Sequence, residues 1–534
     1  MKKNLLAGAL LLFSAALSES KDRAFQTSDR CLACHNGLTT ASGQDISIGF
    51  AWRSSIMANS SRDPYWQASV RRESIDHPES QASIEDECST CHMPITRFEA
   101  KLRGRTGKVF DHLPFDPDKT EGREAEDGVS CSVCHQIAKD RLGTRESFNG
   151  GFVIHAPESK DVHPEYGPFD IEKGNQTIMR TSTGGFRPTE DSHIRDSKLC
   201  ATCHQLYTKA LGPDGKIVGE LPEQMPYLEW LHSDYRDKQT CQACHMPEVT
   251  EPTPISKVLG IAREGLHRHV FVAGNFFMQG MLNRYRDDLS VEALPQELKS
   301  AADATIAFLQ EKSARLRVER SDLHAGRLQA EVFVENLSGH KLPTAYPSRR
   351  AWLHVVVRDG NQRIVFESGK LNPDGSGSIQ GNDNDSDSTR FEPHYSEITS
   401  SDQVQIYESI LKDPGGRVTT GLLSAVGYIK DNRLLPHGFD KRGADKDIAV
   451  YGAAADDPDF SDAGDRVRYS VEVGNAPGPF RIEAELWYQP IGYRWANNLK
   501  PYGAASEPKR FNEYYDSMSS SAGVIVVRAE ATVR

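Results

Sequence analysis

Five times between residues 31 and 245 the chain reads Cys-x-x-Cys-His. The motifs are CLACH (Cys31, Cys34, His35), CSTCH (Cys88, Cys91, His92), CSVCH (Cys131, Cys134, His135), CATCH (Cys200, Cys203, His204) and CQACH (Cys241, Cys244, His245). They use all ten cysteines. Histidine supplies 18 of 534 residues, so one directly after every pair is not chance. A structural zinc site joins two Cys-x-x-Cys units and needs no histidine beside them. A thioredoxin-like site uses a single pair, and a disulfide framework does not demand the histidine either. The complete unit is the attachment signal for c-type haem. The two thiols add to the vinyl groups, and the adjacent imidazole reaches the iron. The motifs therefore imply five covalently bound haem c groups, with ten anchoring cysteines and five proximal histidines.

So short a stretch cannot give each haem its own apolar pocket. The macrocycles must replace much of the core and pack together, which makes a path for electron hopping. The sixth ligand then decides the chemistry: an iron with two protein ligands passes electrons, and one with an open position binds substrate. Eight histidines outside the motifs fall in or near this region: His77, His112, His155, His163, His193, His232, His267 and His269. His77 precedes the second motif, His193 stands just upstream of the fourth in DSHIRDSKLCATCH, and His232 lies in YLEWLHSDY before the fifth. His269 follows the last motif in LHRHVFVAGN. These four are the candidate distal ligands. Met57 offers a thioether, but a packed core methionine is the simpler reading. Met246 follows His245 directly and cannot reach the opposite face of the same haem; Met93 stands in the same relation to His92.

The elements that must position these groups divide the chain. Residues 1–20, MKKNLLAGALLLFSAALSES, have a basic start, a short apolar run and small residues at its end, the pattern of an export signal. Localisation is then periplasmic, or outer-membrane-associated or extracellular. Residues 21–292 form the pentahaem domain, mostly helix and loop. Leu298, Ala302, Thr305 and Leu309 recur at helical spacing, so 293–318 reads as a connecting helix. In RLQAEVFVEN, Leu328, Ala330, Val332 and Val334 alternate with Gln329, Glu331, Phe333 and Glu335. Similar runs at 466–473, 479–488 and 522–530 predict an all-β sandwich-like domain over 319–534. The expected fold class is thus α+β and multidomain. Two loops of this half carry chemistry-bearing residues. NLSGHKLPTAYPSRRAW puts His340 at a tip, where it could ligate a haem or contact the haem domain, although a turn residue packing between domains is the simpler reading. GNDNDSDSTRFEPHY spaces Asp383, Asp385 and Asp387 two apart, a pattern that can converge on calcium, although a solvated acidic loop is the simpler reading.

The chain resembles multihaem c-type cytochromes of the cytochrome c554 class with a C-terminal β domain. The likeness rests on DPYWQASVRRE, GVSCSVCHQI, SKLCATCHQLYT, EQMPYLEWLHSDY and HVFVAGN in the first half. In the second half it rests on SGHKLPTAYPSRRAWLHV, PHYSEI, QVQIYES and NRLLPHGF. The resemblance implies mostly bis-histidine haems, distal roles for His193 and His269, and electron transfer. Ala345 and Ala273 stand where the class pattern has glycine. No Cys-x-x-Cys-Lys occurs, the mark of the pentahaem nitrite reductases.

A net charge of −12 and the lack of a long basic block argue against nucleic acid as partner. No stretch of the mature chain is apolar enough to span a membrane. The second half carries no Ser-His-Asp order, phosphate loop or HExxH. The expected function is electron carriage between redox partner proteins, other cytochromes or a quinol-oxidising complex, with an oligomer or filament as a further option. The alternative is a reductase or oxidoreductase of a small nitrogen or sulfur oxyanion at one open haem, with Tyr207 and His112 as candidate proton donors.

Overall fold

The structure, a computed structural model, describes residues 23–155, 163–382, 385 and 387–534. The expected export signal lies outside these residues, as does Asp383. Among the described residues, no helix is long and apolar enough to cross a membrane.

The first half is built from short helices and loops. Its motif-bearing elements are α1 (Asp29–Leu32), α3 (Gln81–His92), α4 (Cys131–Gln136), α5 (Ser197–His204) and α6 (Cys241–His245), while α2 (Pro64–Asp76) carries the DPYW stretch. A helical turn suits Cys-x-x-Cys-His because positions i, i+3 and i+4 share one face. Local residues start these turns. The Ser130 hydroxyl accepts the Val133 N–H, the Thr240 hydroxyl accepts that of Ala243, and the Asp196 carboxylate accepts that of Lys198. In α2, Asp63 accepts from Tyr65 and Trp66, and Pro64 occupies the first helical position, where it sacrifices no bond. A hairpin of β1 (Leu206–Leu211) and β2 (Ile217–Gln224) follows the fourth motif.

An 18-residue helix, α7 (Pro295–Lys312), leads into the second half. There β3 (Ala314–His324), β4 (Arg327–Asn336), β5 (Arg350–Arg358) and β6 (Ile364–Ser368) come first. They are followed by β7 (Glu397–Ile398), β8 (Ile406–Tyr407), β9 (Ser409–Lys412), β10 (Val418–Thr419) and β11 (Gly427–Asp431). The last strands are β12 (Asp465–Glu472), β13 (Phe480–Gln489) and β14 (Val524–Val533). One sheet has the order β6-β5-β13-β14, with β8 also on β5; a second has β7-β12-β4-β3; a third has β10-β9-β11. The alternation read in β4 is real: Leu328, Ala330, Val332 and Val334 are all buried. They join one apolar cluster with Val355, Ile482, Leu486 and Val467, and with Tyr65, Phe276, Met281 and Leu298 of the first half. The two halves share a core.

The second half is not all-β. Helix α8 (Ser506–Met518) interrupts it and packs on α2. Its Phe511 meets Tyr65 at 5.1 Å between ring centroids, and Arg71 pairs with Glu507 through two bonds of 2.9 Å. Alternating strand patterns surround this segment, but its own spacing buries Phe511, Tyr514 and Tyr515 at helical intervals. Among the described residues of the acidic loop, Asp385 and Asp387 do not converge on a common point. Asp385 turns inward to Arg350 at 3.1 Å, while Asp387 accepts from Thr389 two residues on.

A buried polar knot ties β8 to β12. The Asp465 carboxylate accepts the Tyr407 hydroxyl at 2.7 Å and the Gln405 amide at 3.0 Å. The Gln405 amide also donates to His394 Nδ1, as does Asn432, so the His394 proton sits on Nε2, 3.3 Å from Asp457. That tautomer leaves no lone pair on Nε2 for a cation. Burial pushes the Asp465 carboxyl up to about 6. A raised folded-state value means that its contribution is full below the unfolded value of about 3.9 and is lost as pH rises through about 6. Asp465→Asn should therefore flatten the stability profile by roughly 2–3 kcal/mol between about pH 4 and pH 7, read from urea unfolding at a series of pH values.

Candidate cofactor site

All five motifs open on one connected cavity of about 1810 Å³ between the halves. The walls include Leu32, Ile48, Trp52, Val70 and Ile84, which offer water few partners. Such walls suit a large, mostly apolar group.

The imidazoles are prepared as metal ligands. His35 Nδ1 lies 2.6 Å from the Ile255 carbonyl, His92 Nδ1 2.9 Å from that of Ser60, His135 Nδ1 2.6 Å from that of Tyr166, and His245 Nδ1 2.6 Å from that of Val272. A carbonyl can only accept, so the proton is on Nδ1 and the Nε2 lone pair is free. Burial also pushes these groups down, to about 4 for His92 and for His245, which keeps them neutral. His204 is likewise pushed down by burial and by the nearby Arg349 guanidinium.

The thiols meet across motifs. All ten are free, and Cys31 lies close to Cys131, Cys91 to Cys203, and Cys200 to Cys241. Backbone contacts agree: the Cys131 N–H donates to the Ser28 hydroxyl before the first motif, and that of Cys241 to Ser197 of α5. Among the described residues, the motif cysteines and histidines form no cluster of three within ligand distance, so a zinc arrangement is absent. Two thiols and one imidazole per motif, all facing the cavity, are the donor set that covalent haem requires.

Two proximal histidines face a second imidazole. His135 and His269 have centroids 6.2 Å apart and planes inclined by 21°. His245 and His340 are also 6.2 Å apart, at 7°. His269 Nδ1 is held by the His267 carbonyl at 3.1 Å and His340 Nδ1 by the Lys341 carbonyl at 2.9 Å, so both again free Nε2. Two imidazoles bound to one metal at about 2 Å each have centroids roughly 6 Å apart. The turn histidine His340 thus reaches the cavity from the second half, the less favoured of the two readings its place in the sequence allowed.

The other expected distal residues sit elsewhere. His77 is buried against the Ser424 hydroxyl, 3.4 Å away. His193 uses Nε2 on the Ile137 carbonyl at 2.8 Å, and its Nδ1 lies 3.0 Å from Asp191. His232 donates from Nδ1 to the Leu228 carbonyl at 2.8 Å. None of the three lines the cavity; Met57, His267 and Tyr207 do, and His112 does not.

No family model matches this chain, and no curated protein does. Among solved structures, the penta-heme cytochrome c552 from Thermochromatium tepidum is similar in fold. The likeness spans 95% of this chain and 99% of that one, with a TM-score of 0.51 and 15% sequence identity. At that identity the likeness is one of fold.

Gly150 shows how closely the motif elements approach. Its N–H donates to Thr202 O at 2.6 Å, and an added Cβ would stand 2.1 Å from Thr90 Cγ2 and 3.5 Å from Cys91 Sγ. Its φ of 71° also favours glycine. Gly150→Ala should cost about 2–4 kcal/mol, seen as a lowered midpoint in denaturant unfolding.

Proposed function

We propose that this chain is a multihaem c-type cytochrome that holds five haem c groups and carries electrons along them between redox partner proteins. The observation that carries this reading is that all five Cys-x-x-Cys-His motifs face one shared cavity, with four proximal imidazoles locked by carbonyls as Nε2 ligands. When bound, haem iron supplies reversible one-electron chemistry. The residues do the rest. The ten cysteines would anchor the groups, the five proximal histidines would ligate the irons, and the closeness of thiols from different motifs would bring neighbouring groups near one another. Contact runs from the first motif to the third, from the second to the fourth and from the fourth to the fifth. His269 supplies the second imidazole at the third motif.

The finer assignment is to the cytochrome c554 class with a C-terminal β-rich half, exported to the periplasm or beyond. Its partners would be other cytochromes or a quinol-oxidising complex. The likeness to the penta-heme cytochrome supports the fold on which this rests.

A second reading has one specific support. The Arg349 guanidinium and the ring of Tyr207 both line the cavity. A cation on the cavity wall suits a small nitrogen or sulfur oxyanion, the substrate class of a reductase.

Electron paramagnetic resonance of the oxidised protein, with spins quantified beside a pyridine haemochrome count, separates the two. The electron-carrier reading expects five haems per chain and low-spin signals throughout. A full high-spin haem that shifts on adding nitrite would favour the reductase. His269→Ala should convert one low-spin haem to high-spin without lowering the haem count.

A further inference from the structure

The geometry points to a specific job for the second half: we propose that His340 is the sixth ligand of the iron that His245 binds, in the haem anchored by Cys241 and Cys244. We further propose that a buried quartet of charges at the interface positions it. This rests on the haem reading above. His340 sits on the loop between β4 and β5, outside the motif half; its ring lies 6.2 Å from that of His245 in nearly parallel planes, and a carbonyl holds Nδ1 of each, which leaves both Nε2 atoms free. Phe308 of α7 flanks the same His245, 5.7 Å away, so the fifth motif is walled by elements that follow the motif half.

The loop is held from both sides. Asn336 donates to the His340 carbonyl at 2.8 Å and to that of Leu434 at 3.0 Å. Gly339 lets the tip lie against Trp230 and Tyr235: an added Cβ would come within 3.3 Å of the first ring and 3.2 Å of the second side chain. Directly after the histidine, the Lys341 N–H donates to Glu229 at 3.2 Å and its ammonium to Asp431 at 2.7 Å. Arg433 closes the ring, at 3.0 Å from Glu229 and 2.7 Å from Asp431. Two cations and two carboxylates thus balance with almost no exposure: 0% for Lys341 and Glu229, 1% for Asp431 and 7% for Arg433. Glu229 lies in the segment leading to the fifth motif, and the other three lie in the β-rich half. The quartet therefore fixes the His340 loop to the segment that carries His245.

The test is the ligation state of the intact protein. The haem count should stay at five in His340→Ala, while one low-spin signal becomes high-spin and returns on adding imidazole. His340→Met keeps a ligand of similar size; it should stay low-spin with a raised midpoint potential at one haem. Glu229→Gln removes one charge of the quartet without touching the iron; it should leave part of the same haem high-spin while unfolding remains cooperative. A purely structural loop would give none of these spectra. If the wild type carried no haem, both the haem reading and this inference would fall. If five haems were present and the spin state and potentials of both His340 variants matched the wild type, this inference alone would be overturned.

Discussion

An imidazole binds a metal through a nitrogen that carries no proton, and in this chain backbone carbonyls decide which nitrogen that is. Every carbonyl that holds a proximal histidine belongs to a distant segment. Ser60 precedes His92 by 32 residues, Tyr166 follows His135 by 31, Val272 follows His245 by 27, and Ile255 follows His35 by 220. Each of these four motifs thus presents its Nε2 lone pair only after another part of the chain has folded over it. Hydrogen bonds of this kind fix both tautomer and ring orientation. The loops between motifs, which look irregular, are the source of this order.

The second constraint is volume. A motif half made of short helices cannot close a core of its own around so large a cavity. The outer wall is therefore borrowed. Residues 337–340, 342–346, 348 and 349 of the β4–β5 loop, Leu422 and Leu423, and Tyr488 of β13 line the cavity. Helix α2 is the hinge of this arrangement: Glu73 accepts the Leu422 N–H at 2.8 Å, and Arg72 donates to Thr420 O at 3.0 Å. The shared apolar cluster and these polar ties make the two halves one folding unit, which the sequence division at about residue 319 does not convey.

What the sequence made legible follows from range. A Cys-x-x-Cys-His turn is local, so its chemistry, its helical start at Ser130 or Thr240, and the alternation in β4 can be read directly. Pairing of imidazoles is tertiary. His193 lies close in sequence to the fourth motif, yet its Nε2 bonds to Ile137; His340 lies far from any motif, yet faces His245. Proximity along the chain was the wrong guide. Ala345 is an intermediate case. The class pattern has glycine there, and the backbone explains why: φ is +65°, the left-handed region where a Cβ is strained. Helix α8 escaped notice because strands flank it on both sides.

The quartet around Lys341 also argues about why charge is used at an interface that could have been apolar. Removing four charges from water is costly, and well-packed apolar residues of the same volume often give equal or greater stability. What charges add is register. An apolar loop can slide by a rotamer and remain buried, whereas Lys341, Asp431, Arg433 and Glu229 satisfy one another in one alignment only. A slip would leave a buried charge without a partner, which is far worse than a lost methyl contact. The residue directly before Lys341 is His340, whose ring must meet His245 to within a few tenths of an ångström to share a metal. Register is thus the property this loop needs most, and the buried ion quartet is the device that supplies it.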